Sequence, residues 1–400
     1  MAVGWSAPAS LPPLVGELAG KIALNALPGL PPLAWDVALL PADAGRLRVK
    51  VSARNESTQI VVHADLDATG TAGTWRLETG RFDAALWLGM IAPQFSPKAA
   101  NLTGQGFFLF TGGGVIRDGR LTGRIDAEWR DGVLRDAVMG WTLDGVAFHG
   151  QFDLDSVGPR LVSAGPCEFT AKTISTARFG ARNLFARGVL VDDWQFALAA
   201  GRVEIAGGEA VVDPCTLSLL PPVYEVNMHL HRVGLPDIVA LAPGGLSDAR
   251  GLIEGTVQVG WSSKAGLKVG AGGLTVSSEE PAVVRLAPTP GFLTKRVPER
   301  FELLPRSFGL LARWLAPKNP AFPELREIEL GRTELQVKTL TIKLTPGGDS
   351  RGRSAVVQLI GRPVKADSHV ELVTVEVALA GPLDTVLRFG LNQTVSVQMR

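Results

Sequence analysis

Two histidines on one strand come nearest to a metal site in this sequence. His229 and His231 are separated by one residue, so in an extended strand both imidazoles lie on the same face, a spacing that some zinc sites use. A third ligand cannot be identified from the sequence, and a solvated polar face explains the pair equally well. We predict no metal site and no cofactor. The opposite face of this strand is apolar and carries Val226, Met228 and Leu230.

Carboxylates could supply a general acid and a general base. Five of them follow one another closely, but acids in turns and on solvated faces are common, and the chain has no Gly-x-Ser-x-Gly nucleophile motif and no phosphate-binding P-loop. The triplet Gly112-Gly113-Gly114 lies between strands and predicts a hairpin turn. We therefore predict that the protein is not an enzyme. The five acids are Glu128, Asp131, Asp136, Asp153 and Asp155.

Composition indicates a mainly β protein with no general affinity for polyanions. Hydrophobic residues make up 46% of the 400 positions, and 46 Gly and 27 Pro indicate many turns. Lys and Arg (40) nearly balance Asp and Glu (39), so nucleic acid is not an expected partner. The longest apolar run, Ala84 to Pro93, is too short to span a membrane. Cys167 and Cys215 can form at most one disulfide, which the sequence leaves open.

The strands have one apolar and one polar face. Leu47, Val49 and Val51 alternate with Arg46, Arg48, Lys50 and Ser52, and near the C-terminus Val373, Val375, Val377 and Leu379 alternate in the same way. Such an apolar face is buried either on a second sheet, in a closed dry core, or on a ligand with acyl chains. The alternation alone allows both.

A long repeat favours an extended β protein. Residues 82–126 and 235–277 each read as a short helix followed by a β-hairpin, and Phe82 pairs with Leu235 at the same offset that pairs Leu121 with Leu274. We predict an elongated repeating β-groove, a curved, taco-like antiparallel sheet with short helices at the repeat boundaries. Its segments are 1–127, 128–297 and 298–400, forming one continuous groove without a linker.

Three local features are also predicted. The spacing of Leu14, Leu18 and Ile22 predicts a helix from Leu14 to Ala26. Residues 298–315 have helical periodicity interrupted by Pro305. The apolar parity changes near Lys338, which predicts a bulge there.

The stretch from Arg232 to Val276, with the upstream VDDWQFALAAGRVEIAGGEAVVDP, resembles the YdbH branch of the AsmA-like proteins, whose relatives include TamB. In that branch a strand enters a short Leu-rich helix, followed by two Gly-containing strands. The C-terminal ELVTVEVALAGPLDTVLRFGLN is similar to the closing strands of the same domain. The matching positions of the central stretch are Leu235, Ile238, Leu241, Gly251, Gly255, Gly266, Leu267 and Leu274.

The resemblance implies a β-groove that carries phospholipid across the periplasm of a Gram-negative bacterium, between inner and outer membrane, together with a small lipoprotein that adds a strand. Thr394, Val395, Ser396 and Val397 would form the edge for that strand. The chain departs from the family in lacking an N-terminal anchor and in being short, so we expect a fragment or a soluble variant. The residues implied to contact lipid are Leu47, Val49, Val51, Val226, Met228, Leu230, Val373, Val375, Val377 and Leu379. The alternative is a structural β-solenoid or interaction module with a closed dry core and no lipid.

Overall fold

The chain forms two compact units in a computed structural model. Unit 1 comprises Met1–Val203 and Pro214–Val223, and unit 2 comprises Glu204–Asp213 and Tyr224–Arg400. The residues that the structure describes are 16–22, 32–42, 46–95, 101–138, 140–157, 162–176, 180–191, 195–219, 222–241, 246–262, 266–301, 316–346, 349–350, 352–365 and 367–380.

Unit 1 is an antiparallel sheet whose strands pair largely in chain order. The elements are β1 Gly16–Ile22, β2 Leu33–Pro41, β3 Leu47–Arg54, β4 Gln59–Leu66, β5 Ala72–Thr79, β6 Phe82–Asp83, helix α1 Ala84–Phe95, β7 Leu102–Arg117, β8 Arg120–Asp136, β9 Trp141–Asp155, β10 Val162–Ser163, β11 Cys167–Thr176, β12 Gly180–Val191, β13 Gln195–Ile205 and β15 Cys215–Leu219. Strands β1 to β5 form a meander, and β5 pairs with the second half of β7. The sheet continues through β7, β8, β9, β11 and β12.

Unit 2 is also an antiparallel sheet. The elements are β14 Gly208–Val212, β16 Pro222–Gly234, helix α2 Leu235–Leu241, β17 Leu246–Arg250, β18 Leu252–Ser262, β19 Gly266–Val276, β20 Val283–Leu286, a 3-10 turn Thr294–Arg296, helix α3 Ala321–Glu329, β21 Leu335–Leu344, β22 Arg353–Pro363 and β23 Val373–Ala380. Neighbouring strands pair in the order β18, β19, β21, β22, β23, and β20 pairs with the first residues of β21.

The mainly β class, with an open antiparallel sheet and few short helices, is confirmed. The bulge predicted near Lys338 is also confirmed, because the register of β21 against β22 shifts between Val337 and Thr339. The helix predicted from Leu14 to Ala26 is wrong: Gly16–Ile22 is a strand that pairs with β2, so sheet pairing overrides a weak helical spacing. Of the segment 298–315, in which helices were predicted, residues 298–301 are not helical, and residues 302–315 lie outside the described residues.

Both copies of the sequence repeat contain a helix followed by a hairpin. In each copy the first strand of the hairpin has a glycine at positive φ, Gly106 (100°) and Gly255 (148°). A Cβ at either position would lie within about 2.5 Å of a carbonyl oxygen of the partner strand, 2.5 Å from Arg130 O and 2.1 Å from Gly273 O respectively. Glycine is therefore required at both positions, for conformation and for space.

The register of unit 1 gives its sheet one apolar face. One residue from each of eight strands lies directly opposite its neighbour, and together these residues form a row across the sheet. A second row, two residues away along each strand, adds Leu39, Val49 and Ala64 to the same face. We call the first set the apolar row: Leu18, Val37, Val51, Val62, Leu77, Gly112, Ile125 and Phe152.

Helix α1 covers part of this face. Ala84 at its start is fully buried and packs in a core with Trp129, Val146 and Ala171. Leu88, one turn later, contacts the backbone of β7 at Gly104, where a Cβ would lie 2.1 Å from the Leu88 Cδ1. The helix is therefore held by apolar packing, and it contains no charged residue.

The triplet Gly112-Gly113-Gly114 lies inside β7, so the predicted hairpin turn is wrong. The turn is Asp118-Gly119, where both φ angles are positive (52° and 76°), as a tight two-residue hairpin turn requires. Gly112 and Gly114 are needed because β8 approaches closely: a Cβ on Gly112 would lie 2.5 Å from Arg124 O, and a Cβ on Gly114 would lie 1.9 Å from Thr122 O. The indole of Trp75 lies against Gly123 opposite and donates to Thr122 O at 3.1 Å.

Replacing Gly114 by alanine should therefore destabilise the protein. The added methyl group must push β7 away from β8, and overpacking of this kind costs about 2 kcal/mol. Thermal and urea unfolding would measure the loss. The control is Gly273→Ala in β19, because a Cβ there meets no atom within 4 Å. Equal stability of the two variants would show that the backbone contact at Gly114 carries no constraint.

Candidate functional site: the open apolar face of unit 1

The apolar row remains partly exposed over most of its length. Val37, Val51, Val62 and Ile125 are all only half-buried, and Leu18 at the edge is 62% exposed. Eight strands about 4.8 Å apart give the row a length of about 34 Å along the sheet. Leu47 and Val49 lie on the same face and are also half-buried.

The degree of burial separates this open region from the part under α1. Beneath and beside the helix, Trp129 is 7% exposed and Val146 is fully buried. The residues of β3 and β4 in the apolar row are instead half-buried although they are as apolar. The open region therefore leaves apolar side chains in contact with solvent, and a ligand or partner could cover them.

In unit 2 the residues expected to contact lipid differ in accessibility. Val373 and Val375 are each 4% exposed, and Leu230 is 8% exposed, so protein already covers them. Val226 and Met228 are half-buried. The side chains of Val377 and Leu379, and the expected edge residues Thr394, Val395, Ser396 and Val397, lie outside the described residues.

The opposite face of unit 1 is polar and carries ion pairs between neighbouring strands. Arg48 pairs with Asp65 across β3 and β4 at 2.9 Å, and Arg187 with Glu168 across β11 and β12 at 3.5 Å. These pairs are solvent-exposed, so each contributes little to stability. Their arrangement shows that this face is the solvated one.

The five carboxylates considered as a general acid or base lie in ion pairs, turns or a bulge. Glu128 pairs with Arg130, and Asp155 pairs with Arg120, which lowers the pKa of the Asp155 carboxyl. Asp153 lies 3.4 Å from Arg124. The carboxylate of the buried Asp136 accepts the Val138 amide at 2.9 Å, and Asp131 has a positive φ of 51° beside a bulge.

The rings of His229 and His231 on β16 are stacked, with their centroids 6.4 Å apart. His229 Nε2 lies 2.9 Å from Asp213 Oδ1. Within the described ranges, no group of three or more His, Cys, Asp or Glu residues could hold a metal ion. No disulfide joins Cys167 and Cys215, and burial raises the pKa of the Cys167 thiol.

The Glu324 carboxylate on α3 holds the segment before β23 through contacts with Ser368 and His369. Glu324 Oε1 lies 3.1 Å from His369 Nδ1, while Oε2 accepts the Ser368 hydroxyl and the His369 amide, both at 2.8 Å. The bonds from His369 and Ser368 lower the pKa of Glu324 from 4.5 to about 2. The carboxylate therefore stays ionised in mild acid.

This cluster should make stability depend on pH between about 4.5 and 2. Because the folded pKa of Glu324 is below the unfolded value, its contribution is present above pH 4.5 and is lost as pH falls towards 2. Glu324→Gln should lower Tm at pH 6, and the difference from wild type should shrink towards pH 2. Melting curves across this range measure it, with Glu327→Gln on the same helix as control. A difference independent of pH would contradict the assignment.

The alternation in the sequence identified Leu47, Val49 and Val51, but it missed the rest of the apolar row. Val62, Leu77 and Phe152 also lie in strands with alternating character, so their faces were accessible to the same reasoning. Which residues of different strands join into one row depends on register, which the sequence does not encode locally.

In the part of the chain that the structure describes, no helix combines the length and apolar character needed to cross a membrane. Comparison with known proteins adds no relative: no protein-family model matches the chain, and no curated protein matches it significantly.

Proposed function

We propose that the protein is a non-enzymatic phospholipid carrier that shields acyl chains on the open apolar face of unit 1. The single observation behind this proposal is the apolar row, which crosses eight strands while its side chains stay only partly buried. Aliphatic side chains without charge suit a hydrocarbon ligand. No residue has to act chemically on the lipid for this function.

The length and energetics of the face suit acyl chains. A row of about 34 Å is close to the roughly 30 Å hydrocarbon thickness of a bilayer, which two acyl chains span end to end. Each methylene kept out of water contributes about 0.8 kcal/mol. Contact with this face therefore offsets a large part of the free energy that it costs to remove one acyl chain from a membrane. The same contact also removes water from Val51 and Val62.

The family resemblance supports the cellular setting of the proposal. In that setting the protein acts in the periplasm, in association with the inner or outer membrane, and a small lipoprotein adds a strand to its sheet edge. The direction of transport is set by those partners, because an apolar face alone lowers the barrier equally in both directions.

The second candidate function is a structural module with a dry core. The low exposure of Val373 and Val375 in unit 2 favours it there, since those side chains have no apolar surface left for a ligand. The two functions differ in what unit 1 contacts: lipid in the first case, and a protein partner or nothing in the second.

Native mass spectrometry with lipid extraction tests the proposal. The chain is purified from a bacterial host, once with mild detergent and once without it. We expect phospholipid to remain bound in the absence of detergent and to be displaced by added detergent. A lipid-free mass under both conditions would contradict the carrier and leave the structural module.

A further inference from the structure

A shallow depression of about 480 Å³ lies on the polar face of unit 1, over β5, β7 and β8. Its floor is Gly113 in the middle of β7 and the neighbouring backbone at Gly112. The absence of a side chain at Gly113 creates the depression, because the residues on either side of it in the same row, Arg76 and Arg124, are long. Thr111 lies beside Gly113 on the same strand and face.

The charges around the depression are sorted by sign. Arg76 and Arg124 stand at one end, on either side of Gly113, and Glu78 and Asp126 stand at the other end, on either side of Thr111. Each row therefore has two like charges two strands apart, with an uncharged residue between them. One end of the depression is cationic and the other anionic.

This arrangement differs from the rest of the same face. Elsewhere on this face opposite charges form ion pairs between neighbouring strands, as Arg48 does with Asp65 and Arg120 with Asp155. Among the described residues, neither Arg76 nor Glu78 makes an ion pair or a side-chain hydrogen bond, although they are two residues apart on one strand. Both are exposed.

The two β8 residues of the depression, Arg124 and Asp126, each make one contact on the side away from the depression. Arg124 lies 3.4 Å from Asp153, longer than a good charged hydrogen bond, and Asp126 accepts one bond from Gln151 at 2.7 Å. The charges therefore do not neutralise each other across the depression. A ligand with both signs of charge would complete both ends.

We propose that this depression binds a small zwitterion with a phosphate at the Arg76 and Arg124 end and an ammonium group at the Glu78 and Asp126 end. Arg76 and Arg124 are two strand spacings apart, about 10 Å between Cα atoms, so both guanidinium groups can reach one anion over Gly113. A tetrahedral phosphate offers an edge to each of them, whereas a carboxylate offers only one. The two rows are about 7 Å apart along the strand, which suits a phosphate and an amine joined by a two-carbon linker.

Phosphoethanolamine has this chemistry, either as a free compound or as the headgroup of a phospholipid. The site lies on the face opposite the apolar row, so it is independent of the proposed carrier function. A variant that removes one function should leave the other intact.

Calorimetric titration of the intact chain with O-phosphoethanolamine tests the site. We expect saturable binding, weakened at least tenfold by Arg76→Gln for both O-phosphoethanolamine and inorganic phosphate. Glu78→Gln should weaken O-phosphoethanolamine at least fivefold and leave inorganic phosphate unchanged. Lys50→Gln is the matched control: Lys50 is in the same row as Arg76 but outside the depression, and its replacement should change binding less than twofold.

Gly113→Val fills the depression without removing a charge, and it should abolish binding. Unchanged binding by this variant would overturn the proposal, as would equal losses in Arg76→Gln and Lys50→Gln. Vesicles containing phosphatidylethanolamine distinguish the two sources. Vesicle binding that Arg76→Gln abolishes assigns the site to a headgroup, and binding of the free compound alone assigns it to a soluble ligand. Binding to neither overturns the site.

Discussion

Replacing Val62 by aspartate should remove bound phospholipid from the protein. Val62 lies in the apolar row between Val51 and Leu77, where an acyl chain on this face must cross it. A carboxylate covered by hydrocarbon loses its hydration without gaining a partner, at a cost of several kcal/mol. We expect at least a 100-fold loss of lipid affinity, measured as co-purified lipid per chain and as transfer of a fluorescent phospholipid between vesicles.

The neighbouring residue provides a matched control. Val61 has the same side chain, lies on the same strand and is also half-buried, but it faces the polar side between Ser52 and Glu78. Val61→Asp should keep lipid occupancy within about twofold of wild type. Both variants should retain their melting temperature within a few degrees, because neither position is in a closed core. Equal lipid occupancy in Val62→Asp and Val61→Asp would contradict the carrier function.

Position 375 is a poor place for the same test. Val375 is 4% exposed, so an aspartate there would be buried in protein and would unfold unit 2 whether or not lipid binds. The comparison shows why alternation alone does not identify a ligand surface. Val51 and Val375 have the same strand pattern in the sequence, and only the packing of the folded chain separates an open face from a covered one.

Local patterns predicted the elements of this fold well. The alternation of Leu47, Val49 and Val51 predicted a two-faced strand, and the change of apolar parity near Lys338 predicted a bulge, because both depend on residues adjacent in sequence. The triplet at Gly112 was misread because glycine serves both turns and close backbone approach. Its role depends on Thr122 O in the next strand, which a local pattern cannot reveal.

Neither the depression nor the apolar row could be predicted from the sequence, and the physical reason is the same for both. Each depends on register between strands that are far apart in the chain: Arg76 and Arg124 become neighbours of one glycine only through two separate strand pairings. A shift of one residue in either pairing would send one of the arginines to the apolar face. The chemistry of a sheet surface is therefore a property of register more than of composition.

A buried carboxylate in unit 2 has the largest expected effect on stability. Glu329, the last residue of α3, is 3% exposed. Its Oε2 accepts the amides of Leu293 and Thr294 at 2.9 and 3.0 Å, and its Oε1 accepts the Thr294 hydroxyl at 2.8 Å. Burial alone would raise the pKa of Glu329, but the bonds from Thr294, Gly291 and Leu293 outweigh it and hold the pKa below its usual value. The side chain thereby fixes α3 to the 3-10 turn.

Glu329→Ala should lower the free energy of unfolding by about 3 to 4 kcal/mol. The truncation leaves two amides and a hydroxyl unsatisfied in a buried site, at about 1 to 3 kcal/mol for each group that water does not reach. Because the folded pKa is lowered, the contribution is present above the unfolded pKa and is lost as pH falls through the folded value, so the difference from wild type should be largest near neutral pH. Urea unfolding measures it, with Glu327→Ala as control: Glu327 makes only an exposed ion pair with Arg332, worth about 1 kcal/mol or less. Equal stability of the two variants would mean that water satisfies the turn without Glu329.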